Sequence, residues 1–157
     1  MPFWDNWWMV FFTAMTPLGE LRIAIPLGIG FYKLAPLTTL EVAFLGNIIP
    51  VIALYFLLDP LTKWLCRLGQ PIDRWFTWLF DHTYRKHSAS FDKYGSLALM
   101  IFVTIPLPFT GGWTGALLAY LFGIKWYYAL PNLLIGVALA GVIVTALTVS
   151  GMWVFSL

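Results

Sequence analysis

Residues 16–30 read Thr-Pro-Leu-Gly-Glu-Leu-Arg-Ile-Ala-Ile-Pro-Leu-Gly-Ile-Gly, and this stretch limits the fold more than any other. It sets Glu20 and Arg22 in an apolar run, breaks the run at Pro17 and Pro26, and loosens it with Gly19, Gly28 and Gly30. An ionisable side chain at the centre of a bilayer costs about 2.5–3.5 kcal/mol on insertion scales, so such residues mark functional positions. Broken backbone survives at that depth only where protein buries it or where it lines a wet cavity. A straight spanning helix is therefore the wrong description of this stretch. A substrate or ion site at a helix break is the reading it favours.

That reading presupposes a membrane, and the composition supplies one. Of the 157 residues, 61% are hydrophobic and only 10% charged, against about one quarter charged in soluble domains. Mean hydropathy is +0.82. The chain reads as a single all-α integral membrane domain, small enough to suit use as a homo-oligomer. Nine tryptophans and 18% aromatic residues suit interfacial belts. The net charge of +2 is uninformative, but Lys63, Arg67, Arg74, Arg85, Lys86 and Lys93 crowd into one segment. A single cysteine, Cys66, leaves no internal disulfide, and nothing around it marks a reactive thiolate. The first residues lack the basic region of a signal peptide, so the hydrophobic segments are expected to stay in the mature protein.

Taken in order, the chain alternates short and long apolar runs. Residues 6–15 are too short to cross a bilayer, which needs about 20 helical residues, and Thr16-Pro17 stops them. A second short run, about 20–32, closes on Phe31-Tyr32-Lys33. Two arrangements fit: a re-entrant hairpin turning at Pro17-Leu18-Gly19, or one kinked helix over about 7–32. Residues 36–39 read as a turn, Thr38-Thr39-Leu40-Glu41 as a capping box, and 40–58 as a span containing Asn47, which either bonds a neighbouring helix or lines a path. Asp59-Pro60 reads as the start of a new helix.

Residues 60–94 differ in kind. Leu61, Trp64, Leu65 and Leu68 share one helical face, as do Ile72, Trp75, Phe76 and Phe80, with the basic residues opposite. These are amphipathic interfacial helices, cytoplasmic by the positive-inside rule. His82 and His87 lie beside Asp81, but their spacing does not stack them on one face, and no metal site is expected.

The opening pattern then returns. Residues 96–105 are a short apolar run stopped by Pro106 and Pro108; Phe109-Thr110-Gly111-Gly112-Trp113-Thr114-Gly115 follows, and a second short run reaches Gly123. Pro131-Asn132 reads as a turn and 133–155 as a long span, whose Gly136, Ala140, Gly141 and Thr145 would let another helix approach closely. Residues 19–30 and 112–123 align without gaps. The chain thus divides into repeat 1 (about 1–59), a connector (about 60–94) and repeat 2 (about 95–157), each repeat being a re-entrant hairpin plus a transmembrane helix. If each repeat crosses once, the two are inverted, the arrangement of many secondary transporters, with the binding site at the broken segments.

The chemistry then gathers at two opposed tips. Glu20 and Arg22, two residues apart, would point to nearly opposite faces of a regular helix, so they are given separate roles. Arg22, always charged, holds an anionic group or locks against the other repeat; Glu20 takes up and releases a proton. A structural ion pair is the alternative. The second tip offers Thr110, Thr114 and the amides around Gly111, Gly112 and Trp113, and helix N-termini there carry N–H groups suited to an anion. Pro17, Gly19, Pro26 and Pro108 shape the tips, and Asn47, if it lines a path, belongs to the same site. No nucleophile–base pair, metal cluster or phosphate-binding glycine loop is seen, so no enzyme, cofactor or nucleic-acid partner is expected.

The Pro-x-Gly-Glu-x-Arg-x-x-x-Pro segment from Pro17 to Pro26, the Pro-x-Pro-Phe-Thr-Gly-Gly element from Pro106 to Gly112, and the basic connector together resemble the bacterial and archaeal small multi-drug export proteins, a family similar to a compact form of the DedA/VTT superfamily. The resemblance covers nearly the whole chain. It implies opposed re-entrant hairpins, a prokaryotic inner-membrane location, and proton-dependent membrane homeostasis, drug tolerance or translocation of polyprenyl-phosphate or other lipids. It makes Glu20 and Arg22 the acid and arginine of the first hairpin. At the second hairpin, where DedA proteins carry a further arginine, this chain has Gly111-Gly112-Trp113-Thr114. The resulting expectation is an exporter of small or amphipathic substrates, proton-coupled; the alternatives are a lipid translocase acting on an anionic, lipid-like substrate, and a non-transporting scaffold.

Overall fold

The computed structural model describes residues 5–66, 89–106 and 110–155. Every regular element among them is a helix. Helix α1 (Asp5–Met15) turns through residues 16–19 into α2 (Glu20–Pro26), which widens into a π-helical turn (Leu27–Phe31). Helix α3 (Pro36–Cys66) follows, then α4 (Ala89–Thr104), α5 (Gly112–Leu121) and α6 (Trp126–Phe155). Two of them are long and apolar enough to cross a bilayer: Pro36–Trp64 within α3 and Trp126–Met152 within α6.

These helices keep most of their apolar surface outward. Only 28% and 33% of their most apolar windows are buried, while Leu45, Ile49, Phe56 and Leu57 on α3 and Ile135, Leu139, Val142 and Leu147 on α6 are exposed. An apolar surface so extensive is stable in lipid and not in water. The protein is a membrane protein. Its interior holds small and branched side chains: Val10 and Ala14 of α1, Ala24 and Ile25 of α2, Val51 of α3, Val103 of α4, Ala116 and Ala119 of α5, and Leu133 and Val137 of α6.

Helix packing follows a doubled plan. The first short helix of each unit lies on that unit's long helix, α1 on α3 and α4 on α6. The second short helix also reaches the other unit's long helix, α2 touching α6 and α5 touching α3. Glycines admit these contacts. A Cβ on Gly46 of α3 would strike the Phe11 carbonyl and Ala14 of α1; one on Gly136 of α6 would meet the Met100 carbonyl at 2.9 Å and Val103 at 3.1 Å.

Several boundaries differ from those read in the sequence. Helix α3 begins at Pro36, whose fixed φ suits a first helical position. Thr39 therefore lies in the first turn, where its amide and hydroxyl both donate to the Ala35 carbonyl at 2.9 Å, and the capping box does not form. The same helix runs on through Asp59-Pro60: Asp59 pairs with Lys63 one turn on, at 2.6 Å, instead of starting a new helix. Helix α6 likewise runs through Pro131, so 131–132 is not a turn. Proline removes one backbone bond, and in a helix packed along its length neighbouring contacts outweigh that loss. Helix α4 starts at Ala89, inside the segment assigned to the connector. The amphipathic stretch 67–88, with His82, His87 and most of the basic cluster, lies outside the described residues, as does Pro108.

The gap-free alignment of 19–30 with 112–123 also needs correction. Each second arm ends on a left-handed residue, Lys33 (φ 56) and Gly123 (φ 62), followed by a buried Leu34 or Ile124 and then the long helix. The helices start one residue after Gly19 and Gly111. Arm one is thus two residues longer between equivalent landmarks. The extra length is taken up where Pro26 removes the N–H that would bond the Arg22 carbonyl and the following turn widens, the Tyr32 amide donating to the Leu27 carbonyl five residues back at 3.0 Å.

Candidate functional site

The first tip is a threonine-braced turn. Thr16 donates its hydroxyl to the Thr13 carbonyl (2.8 Å) and accepts from the Gly19 amide (3.0 Å). The Glu20 amide donates to the Thr16 carbonyl at 3.1 Å. A Cβ on Gly19 would collide with the Thr13 carbonyl and the Thr16 hydroxyl, so glycine is required there. Pro17 and Leu18 form the exposed apex, Leu18 at 84% exposure. Glu20 then enters α2 at φ 40, a left-handed conformation rare for a residue with a side chain.

That one residue redirects the chemistry. Regular helical geometry would send Glu20 and Arg22 to opposite faces, yet both reach the second tip. The buried Glu20 carboxylate accepts from the Trp113 amide through Oε1 at 3.2 Å. Arg22 donates through one Nη to the Thr110 carbonyl and to the Thr110 hydroxyl, the latter at 2.9 Å. Thr110 in turn donates its hydroxyl to the Ile105 carbonyl at 2.6 Å, closing the loop that carries it. Glu20 and Arg22 form no salt bridge with each other; Lys63–Asp59 is the bridge seen among the described residues.

Helix α5 explains why an acid sits there. Its first amides have no helical partner, and its dipole places partial positive charge at that end. The Glu20 carboxylate fills this position by accepting the Trp113 amide, so part of the helix start that the sequence offers to an anion is engaged from within the chain. Gly111 makes room: a Cβ on it would fall on the Glu20 carboxyl group. Gly112 makes room on another side, its Cβ position lying 2.6 Å from Val51, 2.8 Å from Asn47 Oδ1 and 3.2 Å from Val137. Asn47 is 1% exposed, and its Oδ1, like Trp113 Nε1, has no hydrogen-bond partner among the described residues.

The structure therefore gathers Gly19, Glu20, Arg22, Asn47, Thr110, Gly111, Gly112 and Trp113 at one place. Thr114 lies beside them, half buried, and Pro17 at the exposed apex. Pro26 stands apart, one turn beyond Arg22 at the start of the π-helical turn. The sequence reading missed the seat that Gly111 makes for Glu20; the signal was two consecutive glycines at a helix start. No group of His, Cys, Asp or Glu that could hold a metal ion is found among the described residues.

The family described as "Putative small multi-drug export protein" matches residues 20–143, from Glu20 of the first tip to the middle of α6. The chain belongs to this family. The match covers Glu20 and Arg22, the second tip, all of α3, and α6 as far as residue 143. No curated protein and no solved structure matches the chain.

Proposed function

We propose that this small multi-drug export family member is a proton-coupled transporter of the prokaryotic inner membrane, carrying small or amphipathic substrates past two opposed hairpin tips. The observation that carries the reading is the clasp between the tips, made by Glu20 and Arg22 of the first hairpin's second arm. The carboxylate of Glu20 on the α5 amide is a charge-assisted contact, strong while the acid is ionised and weaker once it is protonated. Proton uptake at Glu20 thus loosens the tips, and proton release draws them together. That is alternating access in its simplest form, with Arg22 on Thr110 as the hinge side of the clasp. The role is transport and not catalysis.

Helix packing supports opposed, inverted units. Helices α2 and α5 are joined at their N-terminal ends, Trp113 to Glu20, and each also contacts both long helices. Two hairpins entering from opposite faces would meet in this way. In this frame the basic connector, about 60–94, is on the cytoplasmic side by the positive-inside rule. The exposed Leu18 and Ile23 beside Arg22 also favour a substrate with an apolar tail, which keeps lipid translocation of the DedA kind as the second reading.

The test is uptake of a fluorescent lipophilic substrate into proteoliposomes under an imposed pH gradient. The wild type should accumulate substrate with the gradient, while Glu20→Gln, which cannot titrate, should show no dependence on it. Unchanged gradient-driven uptake in Glu20→Gln would remove Glu20 from proton coupling. A scaffold, by contrast, would leave any phenotype intact in both Glu20→Gln and Arg22→Ala.

A further inference from the structure

We infer that Asn47 is a second, neutral receiver for the start of helix α5, taking the Trp113 amide when Glu20 lets it go. The inference builds on the transport reading, because it supplies the contact that holds α5 while Glu20 is protonated. Two acceptors converge on one helix start. Gly111 seats the Glu20 carboxyl, and Gly112 seats the Asn47 carboxamide oxygen 2.8 Å from its Cβ position. Gly112 is the first residue of α5, and Cα–Cβ bonds of a helix tilt toward its N-terminus, so an atom beside the Gly112 Cβ position lies close to the helix start.

Asn47 Oδ1 is buried and unpartnered among the described residues while Glu20 holds the Trp113 amide. The groups walling Gly112 beside it are Val51 and Val137, which offer no polar partner. A carboxamide oxygen does not titrate, so it remains an acceptor in the state where Glu20 is protonated. Asn47 is thus a positioning residue: it acts on substrate only through α5.

Hydrogen exchange of the Trp113 backbone amide tests this in the full chain, reconstituted in nanodiscs and labelled with 15N-tryptophan. The resonance is assigned by its disappearance in Trp113→Phe. Asn47→Leu alone should leave the exchange rate unchanged, since Glu20 still holds the amide. Glu20→Ala alone should also retain protection, Asn47 having taken over. The double variant Glu20→Ala/Asn47→Leu should exchange at least about tenfold faster than either single variant. Gly111→Ala, whose Cβ displaces the Glu20 carboxyl without removing its charge, provides the same comparison with and without Asn47→Leu should Glu20→Ala not fold. Equal acceleration in the single Glu20 variant and the double variant would overturn the inference. So would a lower melting temperature of Asn47→Leu, because the loss of an unpaired buried oxygen should not destabilise. Exchange is read independently of uptake: a protein that shows the predicted pattern but carries nothing retains the exchange of caps and loses the transport role.

Discussion

Glu20 joins three facts that rarely coincide in one residue: a left-handed backbone, a buried carboxylate, and a bond across 93 positions of sequence to Trp113. A residue held in such a conformation costs about 1–3 kcal/mol, and strain of this kind collects at functional positions. Here it swings the carboxylate off the helical direction and onto the same tip that Arg22 grips. The seat depends on Gly111 as much as on Glu20. Gly111→Ala should lower stability by about 1–3 kcal/mol through overpacking, seen as a drop in melting temperature in detergent, and should abolish gradient-driven uptake. A Gly111→Ala protein with wild-type melting and uptake would show that the carboxylate does not need that space. Asn47→Leu should behave oppositely, gaining about 1 kcal/mol because a buried unpaired acceptor is removed, with melting temperature again the readout.

At the scale of elements, two glycines do equivalent work. Gly46 lets α1 touch the backbone of α3, and Gly136 lets α4 touch the backbone of α6. In membranes such small-residue contacts carry helix association, since lipid removes the hydrophobic drive. Gly46→Val and Gly136→Val should therefore destabilise to similar extents, about 1–3 kcal/mol each, in thermal unfolding of the purified protein. The second arm of the first hairpin makes a sharper contrast. A Cβ on Gly28 would collide with Thr39 of α3, whereas one on Gly30 would meet nothing within 4 Å. Gly28→Ala should lower the melting temperature and Gly30→Ala should leave it unchanged or raise it slightly, since alanine reduces the entropy of the unfolded chain. Equal effects would mean that the π-helical turn does not hold Gly28 against α3.

For the whole molecule, the decisive property is which side of the membrane each part faces. Reporters fused after Leu157 and inserted near Ser90 should fall on opposite sides if each unit crosses once, with Ser90 inside. Both inside would mean four ordinary spans and would end the opposed-tip mechanism. Helix α3 also bears on this: at about 1.5 Å per residue its 31 residues extend about 46 Å, beyond the hydrocarbon core, so Asp59 and Lys63 can pair at its exposed end. Both are largely exposed, at 57% and 71%, and the pair contributes little to stability.

Much of this architecture is local and so was legible in the sequence. Composition alone set the membrane as solvent; short apolar runs ending at Thr16-Pro17 and near Ile105 set the broken segments; and Glu20 and Arg22 stood out because lipid makes charge costly anywhere. Local rules failed where a partner helix overrode them. Asp59-Pro60 and Pro131-Asn132 carry the chemistry of helix breaks, but packing on neighbours carried α3 and α6 through them. The two-residue difference between the arms was invisible to an alignment of breakers, because a widened turn is a response to Pro26 and to space beside Thr39. Above all, no rule of spacing brings Glu20 to Trp113 or Arg22 to Thr110. The sequence determined that this protein lives in a membrane as helices with charged, broken tips, since those follow from transfer energies and backbone chemistry. The tertiary structure decided which amide the acid caps and which threonine the arginine holds, because those contacts depend on how close two glycine-bearing helix ends can come.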